Sequence, residues 1–374
     1  MPEPQQRRIV VGTMTGTSID GLDVAVIAVS GHGLEQAVEL LGHQHTPLGA
    51  LKEPLRAFAG QVPATAGAIA RLAHDFGQLH EEAITDLIAR CSVTPDLIAV
   101  HGQTVFHAPP FSWALIDPAP LLAAFDCSIV SSLRVNDLAE GGEGAPITPL
   151  ADWVLFRCEH PRAVVNLGGF CNVTHLPPAE AGPTTVRGRD VCACNHPLDA
   201  EARRSLERPM DLDGAAALGG ESNHSIAESL MQRLAIPETD GPRSLGTGEE
   251  MHELLAELAR IEQPPDRLAT LVDAIAGVIA AEIEPGEEVL FFGGGTRNQA
   301  LQVALERQLP CHDLQTAPSD FDPQAREAAA IGVLGTLAMD GVEITTPSVT
   351  GRRVNQRHRD GAWHLTIGSD FTDP

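Results

Sequence analysis

Gly12-Thr13-Met14-Thr15-Gly16-Thr17-Ser18-Ile19-Asp20-Gly21-Leu22-Asp23 stands between two apolar runs, Arg8 to Gly12 and Leu22 to Val29. The runs predict two strands joined as a β-hairpin with a wide polar loop. Glycines in such a loop let backbone amides approach a phosphate, and its hydroxyls add donors. An aspartate on the adjoining strand can hold Mg²⁺ directly or through water. The same composition also suits an ordinary polar turn. No Gly-Lys-Ser/Thr follows, so this is not a Walker loop.

Outward from this hairpin the chain reads as α/β. Ile69, Leu72, Phe76, Leu79, Ala83 and Leu87 recur at steps of three and four, which predicts an amphipathic helix over Ala64 to Cys91. Asp96 to Val100 reads as a buried strand ending at His101-Gly102-Gln103-Thr104. Strand, helix, strand is the grammar of an α/β fold. A second strand–glycine–strand unit, Ala163 to Gly169 continuing through Cys171 to Thr174, echoes the first hairpin without matching it residue for residue. Leu268 to Ile283 predicts a core helix, and Glu288 to Phe292 a strand that runs into Gly293-Gly294-Gly295-Thr296-Arg297-Asn298. Three glycines after a buried strand suit a flat ligand lying against the backbone. A helix follows from about Gln299, and the alanine-rich Ala325 to Met339 predicts a last, closely packed one. The Pro- and Gly-rich stretches 177–183 and 237–248 are expected on the surface.

The 374 residues suggest two domains at roughly 150 residues each. With 43% apolar and 20% charged residues, disordered and fibrous classes are excluded. Fifty acidic against 25 basic side chains leave a net charge of −25. Such a surface repels phosphate backbones and anionic lipid, so neither nucleic acid nor a membrane is an expected partner. There is no secretory leader pattern, and no apolar run approaches the about 18 residues of a membrane span. Seven irregularly spaced cysteines argue against a disulfide framework and for a reducing cytoplasm. Within Arg187 to Asp199, Asp190 can serve as a general base. Cys192, Cys194 and His196 invite a metal reading, but Cys-x-Cys-x-His is not zinc-finger spacing. Packed small hydrophobes are the commoner state of free cysteines.

Taken in order, from Gly12 to about Gly351, these blocks resemble those of the anhydro-N-acetylmuramic acid kinase family, within the sugar kinase/Hsp70/actin superfamily. GTMTGTSIDGLD resembles its first phosphate loop, NLGGFCNVT (166–174) its second, GGGTRN (293–298) its adenosine loop and HGQT (101–104) its sugar-side signature. Asp117-Pro118, Arg134, Asp137, Gly141 to Ile147, Glu327-Ala328 and Pro347 to Gly351 fit further blocks.

The resemblance implies an α/β fold of two ribonuclease-H-like (actin-like ATPase) domains with a ligand cleft between them. Their expected bounds are 1–128 plus 345–374, and 129–344. It implies ATP and Mg²⁺, with nucleotide contacts from Gly12, Thr13, Thr15, Gly16, Thr17, Ser18, Asp20, Gly21, Asp23, Asn166, Gly168, Gly169, Gly293, Gly294, Gly295 and Asn298. Asp20 and Asp23 are the implied metal holders, and Asp190 the catalytic base. His101, Gln103, Thr104, Arg134, Asn195 and Glu327 are the implied sugar contacts. The implied reaction is 6-phosphorylation of 1,6-anhydro-N-acetylmuramic acid with hydrolytic opening of its bridge, in peptidoglycan recycling. The family tends to form homodimers.

The departures sit on the sugar side. Asp190-Val191-Cys192-Ala193-Cys194-Asn195 stands where the family has Asp-Thr-Gly-Pro-Gly-Asn, and Ser132-Leu133-Arg134 where it has Asp-Phe-Arg. Glu143 replaces a glutamine, and Pro242-Arg243-Ser244-Leu245-Gly246 replaces Pro-Lys-Ser-Thr-Gly. A second expectation therefore stands beside the first, a catalytically weakened paralogue that senses sugar or nucleotide. Arg187 and Arg189 flank Asp190, where either would weaken the base if it faced the carboxyl, and neither would if it faced outward.

Overall fold

Strand β1 (Arg8–Met14) pairs antiparallel with β2 (Gly21–Ser30), Gly12 lying opposite Ala25, so the quoted stretch does close a hairpin. This computed structural model describes residues 7–16, 18–236, 248–318, 321–353 and 359–366. Thr17 and the block 242–246 lie outside the described residues.

The chain divides into two compact units. The first comprises Met1–Arg157, Pro183–Val186 and Asp320–Pro374, and the second Cys158–Gly182 and Arg187–Ser319. In the first, β3 (Ala37–Pro47) continues the meander from β2, while β4 (Leu97–Val100) lies parallel to β1. A separate hairpin, β5 (Gln103–Ala108) with β6 (Phe111–Leu115), follows β4. Then β7 (Ser128–Ser131) extends the sheet parallel to β4.

The second unit repeats that pattern. β8 (Arg162–Leu167), β9 (Phe170–Leu176) and β10 (Arg187–Ala193) form an antiparallel meander, and β11 (Glu288–Phe292) and β12 (Leu314–Thr316) add in parallel on the other side of β8. The orders are β3-β2-β1-β4-β7, flanked by β13 (Ala362–His364), and β10-β9-β8-β11-β12. Three antiparallel strands followed by two parallel ones is the ribonuclease-H-like order, present twice. The echo between the two glycine-bearing hairpins is thus a repeat of topology.

Helices cover both faces of the first sheet, which is why β2 is buried almost throughout. The Ala66–Cys91 helix runs unbroken from its Thr65 cap and packs Phe76, Ile84 and Leu87 with Val24, Val26 and Ile98 in one core. The Arg326–Met339 helix approaches the other face so closely that a Cβ on Gly12 would come within 1.9 Å of the Ala328 carbonyl oxygen. A Cβ on Gly335 would reach that of Ala99 at 2.7 Å. Small residues on this helix let it lie on the strands.

That packing also moves the domain bounds. The expected divisions at 128/129 and 344/345 would assign this helix and the Pro149–Phe156 helix to the second half. Instead both belong to the first unit, Arg326 being ion-paired with Asp152 in its interior. β3 and the β5–β6 hairpin had no counterpart among the expected elements, their apolar residues being too few to form a clear period.

Candidate functional site

In the first unit the residues of the first glycine loop and of the 101–104 stretch gather at the C-terminal ends of β1 and β4, where open α/β sheets receive ligands. Thr13 and Thr15 are buried, and their hydroxyls have no hydrogen-bond partner among the described residues. Gln103 Oε1 is in the same state, while the His101 amide ties the two strands by donating to the Thr13 carbonyl at 3.3 Å. Buried polar groups are normally paired, so orphaned hydroxyls at strand ends point to a polar ligand. Ile19, β-branched, holds a φ of 48° in this loop, a strained state of the kind found at ligand-binding turns.

The two candidate metal holders differ. Asp20 is exposed and accepts a hydrogen bond from Ser18 at 2.7 Å. Asp23 Oδ1 instead lies 3.0 Å from ring nitrogens of both His43 and His45, and His43 reaches Asp322 at 3.1 Å with its other nitrogen. Burial works against charge on His43, but its contacts with Asp23 and Asp322 outweigh it and raise its pKa. Asp20 therefore suits a water-bridged cation, whereas the Asp23 carboxylate is already held. Among the described residues no group of three or more His, Cys, Asp or Glu side chains is arranged to hold a metal ion. Gly21 makes room for the His45 ring, which would otherwise meet a Cβ at 2.1 Å.

His101 and Arg134 come together in the same unit. The His101 Nδ1–H donates to the Gly102 carbonyl at 2.9 Å, which leaves Nε2 to accept from Arg134 Nη2 at 3.1 Å. Burial, then the Arg134 charge, lowers the His101 pKa to about 3, so the ring is neutral. Arg134 also donates to the Gly144 carbonyl at 2.8 Å. The pair lines a cavity of about 700 Å³ together with Trp113, Ile116 and Leu133, ample for a sugar. Thr104 is partly buried on β5, and Glu327 lies in the first turn of the Arg326–Met339 helix. A role for Asp137 emerges only in three dimensions. Buried, it accepts from Thr345 and Thr350 at 2.6 Å each and from the Gly144 amide at 2.7 Å, pinning the GGEG loop to the C-terminal block.

In the second unit the two glycine loops and the Asp190 segment meet. The Asn195 amide donates to the Gly168 carbonyl at 3.0 Å, and its side chain donates to the Leu167 carbonyl at 3.0 Å. The amides of Cys194 and His196 both donate to the Gly169 carbonyl. A Cβ on Gly295 would meet Leu167 at 2.6 Å and Asn195 at 3.2 Å, and one on Gly293 would meet Asn166 at 2.6 Å. Asn195 thus stitches the Gly168–Gly169 loop to the Gly293–Gly295 turn. Asn298 caps the Gln299–Gln308 helix by accepting from the Leu301 amide at 3.1 Å.

Most of these glycines are explained by close packing. Gly169 faces the His196 ring, and Gly168 faces the Phe170 carbonyl. Gly294 is different: a Cβ there would meet nothing within 4 Å. Its missing side chain leaves space that the described protein residues do not fill. Gly294→Val is therefore expected to weaken binding of an ATP analogue about tenfold or more, a loss of about 1.4 kcal/mol, with an unchanged melting temperature. Gly12→Ala is the contrasting variant, expected to cost about 1–3 kcal/mol of stability through overpacking. Calorimetric titration and thermal melts of both separate the two roles.

Asp190 is exposed on β10 opposite Asn172, just before a bulge that ends at Cys192. Bulges re-aim side chains and recur beside active sites. Alternation puts Arg187 and Arg189 on the other face, where they pair with Glu284 and Glu282, so their charges are taken up there. Val191 to Cys194 are all buried. The Cys192 and Cys194 thiols are fully enclosed in the apolar core, and the His196 ring packs edge-on to Phe170 at 5.1 Å. Both cysteines of this segment are packed as small hydrophobes in the core.

Comparison with known proteins agrees with this geometry. A family model described as anhydro-N-acetylmuramic acid kinase matches residues 8–359. The anhydro-N-acetylmuramic acid kinase of Salinibacter ruber is 32% identical over 374 aligned positions, covering 93% of this chain and 94% of the relative. That of Bordetella parapertussis is 33% identical over 372, covering 92% and 93%. That of Acaryochloris marina is 32% identical over 366, covering 91% and 96%. With a match of this extent laid over two hairpins that repeat one topology, the chain belongs to the anhydro-N-acetylmuramic acid kinase family.

Proposed function

We propose that this protein is an ATP-dependent sugar kinase that opens the bridge of 1,6-anhydro-N-acetylmuramic acid and phosphorylates its 6-oxygen, giving N-acetylmuramic acid 6-phosphate for peptidoglycan recycling. The observation that carries the reading is the meeting, in the second unit, of the Gly168–Gly169 loop, the Gly293–Gly295 turn and the segment that begins at Asp190.

Asp190 accepts a proton from the water that attacks the anomeric carbon. The bond from that carbon to O6 breaks, and O6 takes the γ-phosphoryl group as ADP leaves. The amides of the glycine loops and the hydroxyls of Thr13 and Thr15 orient the phosphates and balance the charge that develops on them. Mg²⁺, when bound, neutralises phosphate charge, and Asp20 is the side chain suited to hold it through water. Neutral His101 keeps Arg134 in place at the sugar-side cavity, where a guanidinium suits the lactyl carboxylate. Glu327 and Thr104 complete the sugar-side set.

The altered segment does not weigh against catalysis. Its cysteines point into the core, so they do not fill the space where a glycine backbone would meet the sugar. Family membership also supports a cytoplasmic homodimer, and the net charge of −25 leaves nucleic acid and membranes outside the set of partners.

Incubation with ATP, Mg²⁺ and the anhydro sugar in ¹⁸O-water is expected to release ADP and sugar phosphate in equal amounts, with the label at the anomeric carbon. A protein shown to bind ATP that forms no ADP above background would refute this substrate.

A further inference from the structure

The back of β10 carries a connected set of charges that the reaction above does not use. Arg189 donates from Nε to Glu282 Oε1 at 2.8 Å, and its Nη2 is paired with the other oxygen of the same carboxylate. Its Nη1 donates to the Ile236 carbonyl at 2.8 Å. Glu282 ends the Pro264–Glu282 helix and also faces His175 Nε2 at 3.6 Å. His175 Nδ1 in turn donates to Glu287 Oε1 at 2.8 Å, and Glu287 accepts from the Glu284 amide at 2.8 Å. Burial alone lowers the His175 pKa, but hydrogen bonds to Glu282 and Glu287 outweigh it and lift it to about 9, so the ring is charged at neutral pH. The cluster is thus Arg⁺, Glu⁻, His⁺ and Glu⁻ in sequence, anchored on β9, β10 and the helix end.

Among the described residues β10 is the edge of its sheet, so one side lacks a full ladder of backbone hydrogen bonds. A bulge between Asp190 and Cys192 loosens the strand further at that point. Residues 235 and 236 supply a partial substitute. Cys192 bridges Ala235, and the Ile236 amide donates to the Val191 carbonyl at 2.8 Å. Arg189 is the side chain that fastens both this short strap and the helix end to the residue immediately before Asp190. A carboxylate on a bulged edge strand keeps a fixed aim only if something of this kind restrains its backbone, and catalytic groups must hold position within about 0.5 Å.

We infer that Arg189 is a positioning residue for Asp190: its planar fork clamps the bulged edge strand to Glu282 and to the Ile236 carbonyl, and so fixes where the Asp190 carboxylate points. The inference rests on the proposed role of Asp190 as base. Arg187 provides an internal control. It lies two residues earlier on the same face, and its pair with Glu284 is more than half exposed on both sides, so its charge is the same but its clamp is slack.

The test compares Arg189→Met, Arg187→Met and Glu282→Gln in the full-length protein, with ATP, Mg²⁺ and 1,6-anhydro-N-acetylmuramic acid as substrates. Arg189→Met is expected to lower kcat about 10–100-fold. The KM values for sugar and ATP should stay within about twofold, because the Arg189 guanidinium is already held by Glu282 and the Ile236 carbonyl. Glu282→Gln, which keeps the shape of the contact, should lower kcat in the same direction by a smaller factor, and it decides the matter if Arg189→Met does not fold. Arg187→Met should turn over like the unmodified protein. Equal losses at positions 187 and 189, or losses in KM and not in kcat, would overturn the clamp. Full turnover in Asp190→Asn would overturn the base itself, a separate outcome from the failure of the clamp.

Discussion

Asp190→Asn is expected to lower kcat by about 10²–10⁴, the usual worth of a general base, while leaving KM for ATP nearly unchanged. Asparagine has the shape of aspartate but cannot take a proton from water. The site gives little reason for structural damage, because Asp190 is exposed and its strand is held by Arg189 and by the 235–236 strap. The glycine loops proposed to hold the nucleotide are built from other residues, so nucleotide binding should survive. The measurement is ADP release against sugar concentration, with calorimetric titration of a non-hydrolysable ATP analogue as the companion. Retention of more than a tenth of the unmodified kcat would remove Asp190 from the role. A sensor without turnover would show no ADP in either form of the protein, together with ligand affinity equal in both.

The largest stability effect is expected at Asp152. Arg326 and Asp152 are 1% and 0% exposed, and the Arg326 Nε donates to Asp152 Oδ1 at 2.9 Å, with a second contact between Nη2 and Oδ2. Breaking a buried pair by removing one charge leaves the other uncompensated in a medium of low dielectric, at a cost of about 3–5 kcal/mol. Asp152→Asn should thus remove a large share of a total stability of about 5–15 kcal/mol. Replacing both partners, as Asp152→Leu with Arg326→Met, should recover most of the loss, because two apolar side chains need no counter-charge. Urea melts of the two variants and the unmodified protein at constant m-value decide it. A loss under about 1 kcal/mol for Asp152→Asn would show that the guanidinium finds another partner or reaches water.

Much of the site is local chemistry, and that part was legible early. The two glycine-bearing hairpins and the GGG turn after β11 are each contiguous, and strand–turn–strand patterning identifies them. The Glu288–Phe292 strand and the helices from Gln299 and Arg326 fall where apolar period and capping place them. The reason each glycine is a glycine was not legible. Gly12 answers to Ala328, Gly21 to His45 and Gly169 to His196, and only the last two of these neighbours lie within about 30 residues of their glycine. Gly294, without a neighbour, looks the same in sequence as the packed Gly293 and Gly295 beside it.

The arginines beside Asp190 make the same point. Sequence left two orientations open, and they resolve because Glu282 ends the Pro264–Glu282 helix just behind β10 and Glu284 follows it. The histidines around Asp23 had no signal at all, since His43 and His45 lie on β3, a strand whose apolar residues are too sparse to announce it.

What the sequence by itself determined is the α/β class, the order of the chemistry-bearing loops and the family they belong to, because periodicity and turn chemistry are properties of consecutive residues. What only the tertiary structure decided is which side chains are spent on holding the fold together. It placed the Arg326–Met339 helix on the first sheet, turned Cys192 and Cys194 inward, and spent the Arg189 charge on Glu282. Each of those outcomes depends on contacts between residues far apart in the chain, and such contacts exist only once the sheets and helices have packed.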